Sequence, residues 1–61
     1  MPFNIGERVA LTEPLTFGHD PLAAGTQGSV TQPDDDVDAS WVRFDPLQKD
    51  VLVLNKSLRR V

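Results

Sequence analysis

Residues 39–54 read ASWVRFDPLQKDVLVL, and they carry the clearest strand pattern in the chain. Val42 and Phe44 alternate with Trp41 and Arg43 in its first part. Strict alternation of apolar and other side chains is the period of a β-strand with one face on the core. The pattern therefore predicts a strand that buries Val42 and Phe44 and turns Trp41 and Arg43 to its other face.

The same stretch contains a turn and a further strand. Residues 45–50 include Pro46 and two aspartates, which favour a turn. Residues 51–54 are Val-Leu-Val-Leu, which is typical of a strand in a buried sheet. Because both of its faces are apolar, we expect this strand to be central or covered on both sides.

The chain before this stretch also favours short strands over helices. Ile5, Val9 and Leu11 predict a first strand, and residues 12–24 then form a long irregular loop with two prolines and a glycine. Loops of this length in small domains are usually functional or mobile.

A second strand is predicted between two turns. Residues 25–32 favour a turn that leads into it, and Gly28 inside it indicates a bulge or a close backbone approach. Residues 33–38 predict the next turn, because aspartate tolerates the left-handed backbone. After residue 54, Asn55 can cap one 3₁₀ turn over 55–58, and 59–61 complete a short last strand.

This order predicts an all-β fold for residues 1–61: a single SH3-like barrel of about five short antiparallel strands. It has a long first loop and one 3₁₀ turn before the last strand. Closing a sheet into a barrel removes exposed strand edges, which a chain this short could not otherwise cover. The predicted core consists of apolar strand residues: Val9, Leu11, Val30, Val42, Phe44, Val51 or Leu52, Val53 and Leu58.

Composition narrows the function classes further. The chain has 61 residues, 39% of them hydrophobic and 25% charged, and contains no cysteine. A single small domain without cysteine has no disulfides, thiolate metal sites or cysteine nucleophile. No apolar run approaches the length of a membrane span, and the N-terminus lacks the pattern of a signal peptide. We therefore expect a cytoplasmic protein without a membrane association.

Charge is distributed unevenly along the chain. The net charge is -3, which disfavours nucleic-acid binding because such binding relies on lysine and arginine neutralising phosphates. Residues 1–48 nevertheless set two arginines against eight acidic residues, whereas residues 49–61 set four basic residues against Asp50. An alternative function is therefore nucleic-acid binding through the basic residues of this end, Lys49, Lys56, Arg59 and Arg60.

Three parts of the chain resemble bacterial SH3-like domains, and the third consists of residues 42–45 and 51–53 with the closing residues 58–61. Residues 5–11, Ile-Gly-Glu-Arg-Val-Ala-Leu, resemble their hydrophobic-Gly-acid-Arg-Val opening. Residues 24–30, Ala-Gly-Thr-Gln-Gly-Ser-Val, resemble their second strand, Gly-x-x-Gly-x-Val. Residues 17–30 are similar to the C-terminal domain of the nitrile hydratase beta subunit, although Asp20 stands where that family has arginine. The third strand and the closing segment resemble the photosystem I subunit PsaE, whose role is docking and electron-transfer support without chemistry of its own.

Type II dihydrofolate reductase is a more distant likeness. Its opening and fourth strand are similar, but Leu52 and Leu54 stand where that family has glutamine and tyrosine. The polar groups that would bind its pterin substrate are therefore missing, and this activity is not expected. An enzyme formed only in an oligomer remains an alternative function.

Catalytic and metal-binding constellations are not evident. His19 is the single histidine, so no second histidine or cysteine can complete a triad or a transition-metal site with it. Asp34, Asp36 and Asp38 match the start of a calcium loop, but Ala39 stands where such a loop needs glycine. A solvated hairpin tip is the favoured interpretation, and we predict no catalytic residues, no metal and no cofactor.

The function that the sequence favours is a non-catalytic accessory module that docks on a protein partner. Phe17 and His19 of the first loop, together with Trp41 and Arg43, are the predicted partner-binding residues, since tryptophan and arginine are enriched in interface hot spots. The alternative for Trp41 is a place in the core or beneath the first loop. Homo-oligomerisation would add buried area to the small core.

Overall fold

The computed structural model describes residues 3–16 and 21–61, and these form an all-β domain. Its five strands are antiparallel and lie in one sheet in the order β4-β3-β2-β1-β5. The elements in chain order are β1 (Arg8–Leu11), β2 (Gln27–Asp34), β3 (Ala39–Phe44), β4 (Asp50–Leu54), a 3₁₀ turn (Asn55–Ser57) and β5 (Leu58–Arg60). The predicted all-β class, strand number and 3₁₀ turn before the last strand are confirmed.

The β2–β3 hairpin extends further than predicted. Pro33 and Asp34 belong to β2, where they pair with Ser40 and Ala39, so the turn is confined to the four residues after them. A register shift after Val30 bulges β2 and allows the ladder to continue past the proline. The turn ends at Asp38, whose φ of 52° confirms that an aspartate adopts the left-handed backbone here.

The prediction that β4 is central or covered on both sides is wrong. This strand pairs only with β3 among the described residues and forms one edge of the sheet. Val53 is buried, but Leu54 is 48% exposed, and Val51 and Leu52 are only partly buried. The pattern was ambiguous because apolar residues on both faces also occur when the outer face of an edge strand borders a groove.

The core contains the seven residues predicted without an alternative. Phe44, Val42 and Val9 have no exposed surface, and the partly buried Val51 packs against the core cluster. Ile5, by contrast, is 71% exposed and lies outside β1, which begins at Arg8. The core also contains three residues that the strand pattern did not predict: Phe3, Leu15 and Leu22.

Leu15 and Leu22 hold together the two described parts of the first loop. Their backbones pair as an isolated bridge, with the N–H of Leu15 donating to Leu22 over 2.8 Å and the reverse bond at 2.9 Å. Both side chains reach the core. The base of the loop is held by the N–H of Thr12, which donates to the carbonyl of Ser57 at 2.8 Å. The loop is therefore anchored beside the 3₁₀ turn.

Asn55 does not cap the 3₁₀ turn as predicted, since the cap position is Leu54 and no side-chain cap bond forms. The hydroxyl of Ser40, which is fully buried, donates to Asn55 Oδ1 at 2.7 Å. Asn55 Nδ2 in turn donates to Asp38 Oδ1 at 2.9 Å. A buried hydroxyl without a partner is costly, so Asn55 serves Ser40 and ties the turn to the start of β3.

Candidate functional site

The structure places Trp41 and Arg43 on one outward face of β3. Val42 and Phe44, which alternate with them, are fully buried. Trp41 is 38% exposed, which excludes the alternative that it fills the core. A large aromatic ring and a guanidinium therefore lie side by side at the surface of a paired strand.

Neighbouring strands surround these two side chains. In the ladder, Trp41 lies opposite Leu52 of β4, and Arg43 lies opposite Asp50. Arg43 Nε donates to Asp50 Oδ1 at 3.1 Å. An exposed ion pair of this kind contributes little to stability. The side chain of Arg43 is 58% exposed with this bond formed, so most of it remains at the surface.

Arg8 extends this polar face across β2. It forms a two-pronged ion pair with Asp45, with N···O distances of 3.0 and 2.8 Å, and donates to Ser29 Oγ at 3.2 Å. Ser29 lies between Arg8 and Arg43 in the ladder. Hydrogen bonds from Arg8 lower the pKa of Asp45 and raise the pKa of Arg8 itself, although desolvation opposes both shifts.

Glu7 is a second carboxylate with a perturbed titration. The backbone N–H of Asn4 donates to Glu7 Oε1 at 3.0 Å, and this bond is the main reason that the pKa of Glu7 is lowered. Partial desolvation opposes the shift, and an ion pair with Arg60 lowers the pKa further. Arg60 also lies over the ring of Phe3, 5.1 Å from its centre.

Acidification is expected to destabilise the fold from about pH 4 downward. Glu7 and Asp45 bind protons less readily when folded than when unfolded. Their stabilisation is therefore present at neutral pH and is lost as the pH falls through their lowered folded values. Urea unfolding measures the free energy of unfolding at pH 7 and at pH 3. The decrease between the two pH values should be smaller for Asp45→Asn than for the unsubstituted chain. Asp36→Asn, in the exposed turn, is the control, and equal losses in all three proteins would contradict the assignment.

A groove adjoins the tryptophan face on the far side of β4. It has a volume of about 540 Å³ and lies between β4 with its 3₁₀ turn and the start of the first loop. The apolar part of its lining comes from both sides: Leu11, Pro14, Leu15, Leu52, Val53 and Leu54. Leu52 belongs both to the groove and to the ladder position opposite Trp41, so the two surfaces meet there.

Phe17 and His19, the other two predicted partner-binding residues, lie outside the described residues. Thr16, the last described residue before them, lines the groove. The groove itself was not predicted from the sequence. The only signal for it was the pair of leucines at positions 52 and 54, which strand alternation places on one face.

The basic residues of the alternative function are spread over the molecule. Lys49 precedes β4 and Lys56 follows it, so a strand of about 16 Å separates them. Arg59 and Arg60 are consecutive in β5 and therefore point to opposite faces. Arg60 pairs with Glu7. The structure does not gather these four residues into one basic patch.

Within the described ranges, no group of three or more histidine, aspartate or glutamate side chains is placed to hold a metal ion. Nor does any helix in the part of the chain that the structure describes have the length and apolar character needed to cross a membrane. Asp38, from the predicted hairpin tip, accepts its hydrogen bond from Asn55.

Comparison with known proteins adds no relative. No protein-family model, no curated protein and no solved structure matches the chain. The resemblance to SH3-like domains therefore stays a prediction.

Proposed function

We propose that the chain is a non-catalytic binding module of the SH3-like barrel type that docks on a protein partner in the cytoplasm. The docking surface consists of Trp41, Arg43 and the first loop, including Phe17 and His19. One observation carries the proposal: a tryptophan 38% exposed lies beside an arginine on a paired strand and borders an apolar groove.

The chemistry of this surface fits a protein partner. Tryptophan and arginine dominate the binding energy of protein interfaces, where they lie in apolar surroundings within a polar rim. Here Leu52 supplies apolar surface next to Trp41, and the Arg43–Asp50 and Arg8–Asp45 pairs form the rim. Because β3 pairs with strands on both sides, these groups are held in place before binding, which reduces the entropy lost on association.

The strand order supports the SH3-like assignment. The first strand pairs with both the second and the last, and the 3₁₀ turn links the two edge strands. A long first loop then reaches the side of the sheet where the groove lies.

Replacing Trp41 and Arg43 together with alanine is expected to weaken partner binding by about 100-fold or more, since hot-spot residues each contribute roughly 1.4 kcal/mol or more. The tagged chain would be used to capture proteins from its native host, and binding of the captured partner would then be titrated. The control variant, Ile5→Ala with Arg59→Ala, changes an exposed apolar and a basic residue elsewhere. If the partner bound the Trp41/Arg43 variant and the control equally well, the proposed face would be wrong.

A further inference from the structure

The two edges of the sheet differ in how they are protected. β5 has three residues, two of which are arginines, and short charged strands resist edge-to-edge pairing. β4 has five residues, of which the last four are Val-Leu-Val-Leu, and it contains neither proline nor lysine. Leu54 is 48% exposed on this strand. By these criteria, β4 lacks the features that prevent a further strand from pairing with it.

One hydrogen bond at the end of β4 shows which of its residues bond to β3. The N–H of Asn55 donates to the carbonyl of Asp38 at 3.0 Å, in line with the register of the β3–β4 ladder. Because bonding alternates along an antiparallel strand, Val51 and Val53 direct their backbone groups to β3. Leu52 and Leu54 therefore direct their N–H and C=O groups away from β3, to the side where no described strand pairs with β4.

An apolar groove borders this edge. The groove of about 540 Å³ runs between β4 and the first loop, where Pro14 and Leu15 form its opposite wall. Side chains of an incoming strand would find apolar contacts there. The backbone groups of Leu52 and Leu54 would supply the hydrogen bonds of the ladder.

We propose that β4 pairs antiparallel with β4 of a second copy of this chain, across a twofold axis, to form one continuous sheet. A twofold interface requires a self-complementary surface, and four alternating valines and leucines satisfy this requirement. A chain of 61 residues also has a small core of its own, so the shared edge adds buried apolar area.

Charge selects the register. The outward-directed groups match when Leu52 pairs with Leu54 of the second copy, with Val53 on the axis. In this register Asp50, which also pairs with Arg43, lies towards the 3₁₀ turn that carries Lys56 of the second copy, because both residues are three positions from Val53. Opposite charges are thus brought near each other at each end of the paired strands.

The dimer does not rest on the proposed partner binding, although its added strand would occupy the groove that borders the Trp41 face. Trp41 of β3 lies opposite Leu52 of β4, so the two side chains share one face of the sheet. Antiparallel pairing across the twofold axis keeps this face on the same side of the continuous sheet in both copies. A dimer would present that face twice. Neither the dimer nor its test requires the partner, so the two proposals can fail separately.

Sedimentation velocity over a range of concentrations tests the edge. The unsubstituted chain should approach twice the monomer mass, whereas Leu54→Lys should dimerise at least about 10-fold more weakly because it places a charge on the paired edge. Leu54 is half-exposed, so the variant should still fold, which circular dichroism would check. Ile5→Lys, at a more exposed apolar residue outside the sheet, is the matched control. A strict monomer at every concentration, or equal dimerisation of the folded Leu54→Lys variant, would overturn the proposal.

Amide exchange gives a second measurement that needs no substitution. Protection of Leu52 and Leu54 should rise with protein concentration as their N–H groups enter the new ladder. Val51 and Val53 are the internal controls, since their bonds to β3 should protect them at every concentration. A dimer that leaves exchange at Leu52 and Leu54 unchanged would pair through another surface and would overturn the proposal.

Discussion

Replacing Gly28 with alanine is expected to destabilise the fold by about 3 kcal/mol or more, at the upper end of what overpacking costs. A Cβ at this position would lie 2.6 Å from the carbonyl oxygen of Arg43 and 2.8 Å from the Cα of Phe44. Both are backbone atoms of the paired strand β3, so neither can move aside by rotating a side chain. The alternative is to separate β2 from β3 at the centre of the sheet.

Thermal unfolding followed by circular dichroism measures this effect. A loss of this size corresponds to a fall in Tm of about 12 °C or more in a domain of this length. Gly25→Ala is the matched control, because Gly25 has a φ of 88° but nothing within 4 Å of its added Cβ. That variant should lose only about 1–2 kcal/mol from the left-handed backbone. Equal losses for the two variants would show that the close approach of β2 and β3 is not what requires glycine at position 28.

Truncating Phe44 to alanine is expected to cost about 3–5 kcal/mol. Phe44 is the largest fully buried side chain and has no exposed surface. The free energy of unfolding of a domain is roughly 0.05–0.15 kcal/mol per residue, which corresponds to about 3–9 kcal/mol for a chain of this length. The substitution could therefore remove most of the stability, since a core this small has few other residues to collapse into the cavity.

Urea denaturation of Phe44→Ala would measure this loss as a shift in the unfolding midpoint. Val37→Ala, at a residue of the β2–β3 turn that is 52% exposed, is the control and should change the free energy of unfolding by about 0.5 kcal/mol at most. A midpoint for Phe44→Ala close to that of the control would contradict the central position of this ring in the core.

Strand positions and most of the core could be predicted from the sequence because they follow from a local period. Alternation around Val42 and Phe44 identified the buried face of β3, and the glycine at position 28 indicated a close approach. These features depend on neighbouring residues along one strand. The same local rule placed Trp41 and Arg43 on the outward face.

Features that depend on distant segments could not be predicted. The position of β4 at the sheet edge is set by which strands pair, and an apolar run does not encode it. Asn55 looked like a cap because its neighbours form a 3₁₀ turn, but the buried hydroxyl of Ser40 takes its side chain instead. Likewise, Leu15 and Leu22 lie in the core and their backbones pair with each other, which depends on two separate parts of the loop.

The groove is the part of the candidate site that sequence reasoning missed. It exists because the start of the first loop lies across from Leu52 and Leu54, at a distance of nearly forty residues along the chain. Strand alternation could place the two leucines on one face. It could not show that this face continues into a groove.

Trp41 provides the most direct test of the claim that the β3 face binds a partner. It is the only tryptophan and the chain has no tyrosine, so its fluorescence reports on this surface alone. Acrylamide quenching would be measured on the free chain and on its complex with a partner. The partner, or the peptide taken from it, must contain no tryptophan. We predict that the quenching constant falls on binding, because the partner covers a ring that is 38% exposed in the free chain. An unchanged quenching constant in a complex that has demonstrably formed would contradict the proposed role of this face in binding.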